Sequence, residues 1–155
     1  MGAGRVTGVY HAGITVKDIE QSIKFYTELL GLELVSRREA AEDYLFQLVA
    51  VPGLQMIKLA FLKIPGSDAL VELLEYVGMD RFSGSCRSCD YGSGHVCLYV
   101  SDLDEMHNRL SDYGVKFKSN APVLVTSGRN EGCKIIYMMD PDGYIIELVE
   151  PPSVE

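Results

Sequence analysis

The sequence predicts an α+β fold built from two βαβββ modules, and three observations lead there. A segment opening on His recurs, "HAGITVKDIEQ" from His11 and "HVCLYVSDLDE" from His95. An amphipathic helix pattern that ends at a Gly follows each copy. Each half then closes on a strand-like run with Glu inside it, "VELLE" (Val71 to Glu75) and "IELVE" (Ile146 to Glu150). A repeat at this scale organises the whole chain.

The first module opens with alternating strand residues from His11. Asp18 comes seven residues later and can cap a helix, with Gln21 in the capping-box position. Ile19, Ile23, Tyr26 and Leu30 make the helix stripe, and Gly31 ends it. "LELVSR" and "LQMIKLAFLKI" read as strands, and "IPGSDA" as the turn before the closing one. The second module repeats this order. Asp102 caps, with Glu105 as its partner; Leu103, Met106, Leu110 and Tyr113 form the stripe, and Gly114 ends it. "VKFKS" and "CKIIYMMD" follow as strands, with "DPDG" as the turn. The modules span about 7–78 and 92–150 of one domain covering 1–155, joined by a polar linker around Arg81 to Gly94. "FQLVAVPGLQM" (Phe46 to Met56) reads equally as a lid or as an interface.

Composition narrows the partners. The net charge of −8 argues against nucleic acid or an anionic membrane as the main partner. No apolar stretch reaches the length of a membrane-spanning helix. The start, "MGAGRVTGVYHAG", lacks a signal-peptide core, and Val6 stands where a myristoylation signal needs Ser or Thr. A cytoplasmic protein is the expectation. Of the four cysteines, Cys86 and Cys89 form "CRSC", the spacing of half a zinc site or a redox dithiol. With no second such pair, in a polar stretch, they read as plain loop thiols.

The closing strands pose a chemical problem. Glu72 and Glu147 sit among apolar residues, and a carboxylate leaves water only at a cost unless something positive receives it. Strand parity offers an answer. His95, Cys97 and Tyr99 face away from the helix, as do His11, Gly13 and Thr15. If the four strands line one concave surface, His11, Glu72, His95 and Glu147 converge on it. One divalent cation would then neutralise both acids. Two nitrogens and two oxygens suit Ni, Co, Fe, Mn or Zn, with positions left open for substrate. Glu75 and Glu150 have the opposite parity and are expected to face solvent. His107, beside the second helix stripe, is expected to be structural, and Met56, Phe61, Met138 and Met139 to be core. Cys97, Tyr99 and Thr15 line the site or simply pack.

Four segments carry a family resemblance: "HAGITVKDIEQSIKFYTELLGLEL", "VELLEY", "GSGHVCLYVSD" and "YMMDPDGYIIELVE". Over about Val9 to Glu150 the chain resembles the vicinal oxygen chelate (glyoxalase/bleomycin resistance/dioxygenase) superfamily. The resemblance implies paired βαβββ modules forming an incomplete β-barrel around a metal, with His11, Glu72, His95 and Glu147 as ligands. The ligand set resembles that of lactoylglutathione lyase (glyoxalase I) and of methylmalonyl-CoA epimerase and related epimerases. A metal-dependent lyase or isomerase acting on a small oxygen-rich molecule is thus implied. Glu147 would be the general base, Glu72 its counterpart, and the protein a homodimer. "VELLEYVG" lacks the Thr-Asn-Trp neighbourhood typical of glyoxalase I, and Arg37, Arg38, Arg81, Arg87 and Arg129 are scattered. Two rival functions stand beside this one. An extradiol-type ring-cleaving dioxygenase needs only two His and one carboxylate, so Glu72 counts against it. A non-catalytic antibiotic-binding protein would have little use for the ligand quartet.

Overall fold

The computed structural model describes residues 4–84 and 87–153. Cys86 lies outside the described residues. The chain divides into two compact units, Met1–Arg81 and Phe82–Glu155.

The first unit runs β1 (His11–Thr15), α1 (Ile19–Lys24), β2 (Glu33–Ala40), α2 (Asp43–Val49), β3 (Met56–Lys63) and β4 (Leu70–Val77). Its sheet order is β1-β4-β3-β2. β1 pairs parallel to β4, and the other neighbours pair antiparallel. Asp18 caps α1 as expected, its carboxylate accepting the backbone N–H groups of Glu20 and Gln21. The helix continues through a π-helical turn, Phe25–Leu29, to Gly31 at φ +76°. Ile19, Ile23 and Tyr26 are buried with Ile14, Ala60, Leu62, Val71 and Leu73, and α1 lies against β3 and β4. This is the hydrophobic layer that fixes the helix on one face of the sheet.

The second unit runs β5 (His95–Tyr99), α3 (Leu103–Asp112), β6 (Lys116–Phe117), β7 (Val123–Leu124), β8 (Lys134–Met139) and β9 (Ile145–Glu150). Its order is β5-β9-β8-β6, with β7 also paired to β8. Asp102 adopts a left-handed backbone at φ +50°, which Asp tolerates better than most residues, and its side chain accepts the Glu105 N–H. Leu103 and Leu110 of α3 are buried with Leu98, Ile136, Met138, Ile146 and Leu148. α3 rests on β9.

The architecture is the α+β class read from the sequence, with two sheets, few helices and no closed barrel. Two elements exceed the βαβββ plan. α2 occupies part of the segment that read as a lid or interface. Its Leu45 joins Ala40, Ile57 and Leu59 in a core, with Val49, Leu54, Leu74 and Tyr76 packed against it. β7 adds a short strand beside β8.

Glu75 and Glu150 depart from the expectation of solvent. Glu75 is only 9% exposed. It accepts the Ile19 N–H at 2.9 Å and the Lys58 ammonium at 2.9 Å. Glu150 accepts the Asp102 N–H at 3.0 Å, and Lys134 lies 3.9 Å from its other oxygen while also pairing with Asp104. Both acids have the parity opposite to Glu72 and Glu147, but that face is the helix side of each sheet rather than solvent. There they meet the positive helix N-terminus and a lysine from the neighbouring strand, so the charge is received without water.

Candidate metal centre

On the opposite face of the first sheet, parallel register sets Gly13 beside Glu72. His11, two residues earlier, therefore points to the same side. His11 Nε2 lies 3.0 Å from Glu72 Oε2. Antiparallel register brings Phe61 against Glu72 from β3, and the Phe61 ring meets His11 edge-on at 5.7 Å. Tyr10 stacks beside both rings, 4.9 Å from His11 and 6.3 Å from Phe61. A Cβ added to Gly13 would lie 3.7 Å from Glu72 Oε2, in ordinary contact. The Nδ1 atom of His11 is buried without a hydrogen-bond partner.

The second unit repeats the arrangement. Cys97 sits in register with Glu147 on one side and Tyr137 on the other. His95 Nε2 lies 3.0 Å from Glu147 Oε2, and the Tyr137 ring meets His95 edge-on at 5.3 Å. Cys97 and Tyr137 therefore flank Glu147 in register on the same face of the sheet. Desolvation, with the negative Glu147 beside it, pushes the Cys97 thiol up to about 11. Desolvation, then the charges of Glu147 and Cys97, raise the Tyr137 hydroxyl above its usual value.

A separation of 3.0 Å suits a hydrogen bond. It equally suits neighbouring ligands of one divalent ion, because donors about 2.1 Å from the ion and at right angles lie about 3.0 Å apart. The donor chemistry therefore fits a cation bound through imidazole and carboxylate. Within each unit the described residues offer a pair, and no group of three or more His, Cys, Asp or Glu gathers there.

The remaining sequence candidates sort by position. Tyr99 and Thr15 are exposed at the site-facing sides of β5 and β1. Met138 is core, fully buried. Phe61 is not simply core: it lines the His11–Glu72 pair. His107 is structural, its ring 4.5 Å from that of Phe117. Sequence reading missed Tyr137 altogether. The signal for it lay in the repeat itself, since "KLAFLK" from Lys58 and "KIIYMM" from Lys134 set Phe61 and Tyr137 at matching places.

Comparison with known proteins places this geometry in context. The family model described as "Glyoxalase/Bleomycin resistance protein/Dioxygenase superfamily" matches residues 8–148. A 2-epi-5-epi-valiolone epimerase from Actinomyces is 30% identical over 148 residues, covering 94% of this chain and 80% of its own. Lactoylglutathione lyase from Pseudomonas putida is 31% identical over 153 residues, covering 91% and 83%. Among solved structures, a glyoxalase family protein from Bacillus cereus superposes with a TM-score of 0.83 at 19% identity, covering 99% of both chains. Glyoxalase I from Zea mays gives a TM-score of 0.67 at 26% identity; the match takes in 94% of this chain but 45% of that one. No helix among the described residues is long and apolar enough to cross a membrane. Matched along most of its length by the family model and by relatives near one-third identity, the chain belongs to the glyoxalase/bleomycin resistance protein/dioxygenase superfamily.

Proposed function

We infer that this protein is a metal-dependent lyase or isomerase that moves a proton next to a carbonyl of a small, oxygen-rich substrate. The carrying observation is the duplicated pair, a His Nε2 and a Glu Oε2 3.0 Å apart at the same register in each unit. His11, Glu72, His95 and Glu147 are the four groups that would hold one divalent cation of the Ni, Co, Fe, Mn or Zn type. Such an ion supplies Lewis acidity toward a chelated carbonyl and offsets negative charge as it develops on the substrate oxygens.

The chain's own part is proton transfer. A carboxylate takes the proton from the carbon beside the carbonyl, and the C–H electron pair flows toward the carbonyl oxygen. Return of the proton to the opposite face of that carbon gives an epimer; return to the neighbouring carbon gives an isomer. Glu72 and Glu147 are the groups for these steps. Relatives named as a lyase and an epimerase support this class of reaction over ring cleavage. A homodimer in the cytoplasm, with no nucleic acid or membrane partner, completes the reading.

Elemental analysis of the native protein, followed by proton NMR in deuterium oxide, tests it. The substrates to offer are α-hydroxy carbonyl compounds, sugar-like ketones and acyl-CoA thioesters. Deuterium entering the carbon next to a carbonyl, and only with metal bound, is the expected result. Metal-loaded protein that exchanges none of them would overturn the mechanism.

A further inference from the structure

The face of the second sheet that holds His95 and Glu147 also carries charge at its far edge. The Phe117 ring, 4.5 Å from that of His107 on α3, turns Phe117 to the helix side of β6. Lys116 and Lys118, on either side of it, therefore lie on the site-facing side, and both are exposed. Register places them in the rows of the two candidate ligands. Lys116 opposes Met139, which opposes Ile145, the β9 neighbour of His95. The Lys118 N–H donates to the Tyr137 carbonyl at 2.9 Å, and Tyr137 opposes Glu147. Two strand spacings, about 10 Å, separate the lysine backbones from that of Glu147.

The two lysines also differ from most of their kind in this chain. Arg37 pairs with Glu20, Arg38 with Glu42, Lys58 with Glu75 and Lys134 with Asp104. Lys116 and Lys118 form no ion pair among the described residues, in a chain of net charge −8. The corresponding places of the first unit hold Glu33, opposite Lys63, and Ser36, opposite Phe61. Protecting a sheet edge from a second chain would call for charge on either sheet. The paired cations belong to one half-site, with Tyr137 and Met139 between them and the ligands.

We propose that Lys116 and Lys118 form an anion subsite for the far end of the substrate, so that the oxygen-rich molecule held at His95 and Glu147 carries a phosphoryl group. A phosphate monoester has about two negative charges at neutral pH and several acceptor oxygens, enough to take both ammonium groups at once. A ketose phosphate has the reach. Its carbonyl and neighbouring hydroxyl sit at one end and its phosphate at the other, and the lysine stems close the remaining gap over Tyr137 and Met139. This inference rests on the proposed function above and names the substrate class for it.

The test is calorimetric binding of ribulose 5-phosphate and of ribulose to the cobalt-loaded full-length chain. Wild-type protein is expected to bind the phosphate ester about tenfold more tightly than the free sugar, an advantage that shrinks in concentrated salt. Lys116→Ala combined with Lys118→Ala is expected to remove that advantage, with ribulose binding, cobalt uptake and the unfolding midpoint retained. Lys118→Arg keeps the charge and is expected to keep the preference for the ester. Wild-type protein that does not prefer the ester, or a double variant that binds it as wild type does, would overturn the inference. Cobalt uptake in the same samples separates the two readings. Protein that takes up cobalt without preferring the ester loses the subsite and keeps its metal centre, whereas protein that takes up none loses the metal centre whatever the ester does.

Discussion

Glu72 and Glu147 occupy equivalent places in the two units, each 3.0 Å from an imidazole, yet one is flanked by Gly13 and Phe61 and the other by Cys97 and Tyr137. The two units share a strand pairing that sets a Glu beside a His, and the residues at two register positions make the pairs chemically unequal. The difference teaches that a repeated ligand pair need not be a repeated function. One carboxylate has a thiol and a phenol as register neighbours; the other has a glycine and a phenyl ring.

The largest effect that could break this comparison is in proton exchange. Glu72→Gln is expected to lower solvent exchange into substrate by roughly 10²–10⁴-fold, the usual share of a general base, while metal stays bound. Glu147→Gln is expected to lose metal as well as activity. Equal metal retention and equal loss of exchange in both variants would show that the different neighbours leave the two acids equivalent.

A second contrast lies on the helix side of the sheets. Glu75 is buried and receives both Lys58 and the α1 N-terminus, whereas Glu150 is more exposed and receives the α3 side through Asp102. Glu75→Ala is expected to destabilise by about 2 kcal/mol and Glu150→Ala by about 1 kcal/mol, measured by urea unfolding. The larger value belongs to Glu75, because its removal leaves a part-buried ammonium and a helix N–H without their acceptor. Reversal of that order would show that burial does not govern the pair.

The smallest effect sharpens the account of Glu147. Cys97 is exposed, yet its thiol is pushed up to about 11. At pH 8 roughly one molecule in a thousand carries the thiolate. Alkylation at Cys97 is therefore expected to be slow at pH 8 and to rise about tenfold per pH unit until the pH approaches that value. Glu147→Gln removes the neighbouring negative charge and is expected to speed the reaction severalfold at fixed pH. Mass-spectrometric mapping of iodoacetamide adducts reads both outcomes. Fast labelling of Cys97 at pH 7 would contradict a thiol raised by burial and the neighbouring carboxylate.

Much of this was legible in the residues. The recurrence of His11 and His95, the Asp18 and Asp102 caps, and the parity of the strands led to the α+β class and to each His sharing a face with its Glu. These signals are local, set by helix and strand periods within a few residues. What was missed is non-local. Parity set Glu75 opposite to Glu72 and led to the expectation of solvent; it could not reveal that Lys58, seventeen residues away, and the Ile19 N–H meet it there. Phe61 and Tyr137 become neighbours of the acids only through the register of one strand on another. α2 is short, and its run from Tyr44 to Val49 lacks the long apolar stripe that marks α1 or α3. Its order comes from the core it shares with Ile57 and Leu59.

Metal stoichiometry in the wild-type chain and in two single variants tests most directly the proposal that the two pairs share one ion. Equilibrium dialysis against cobalt(II), with elemental analysis, should give one ion per chain. His11→Ala and His95→Ala should each abolish that tight binding, because each removes a quarter of one donor set. Two ions per chain, or half of the metal surviving in either variant, would mean two independent pairs rather than a single centre.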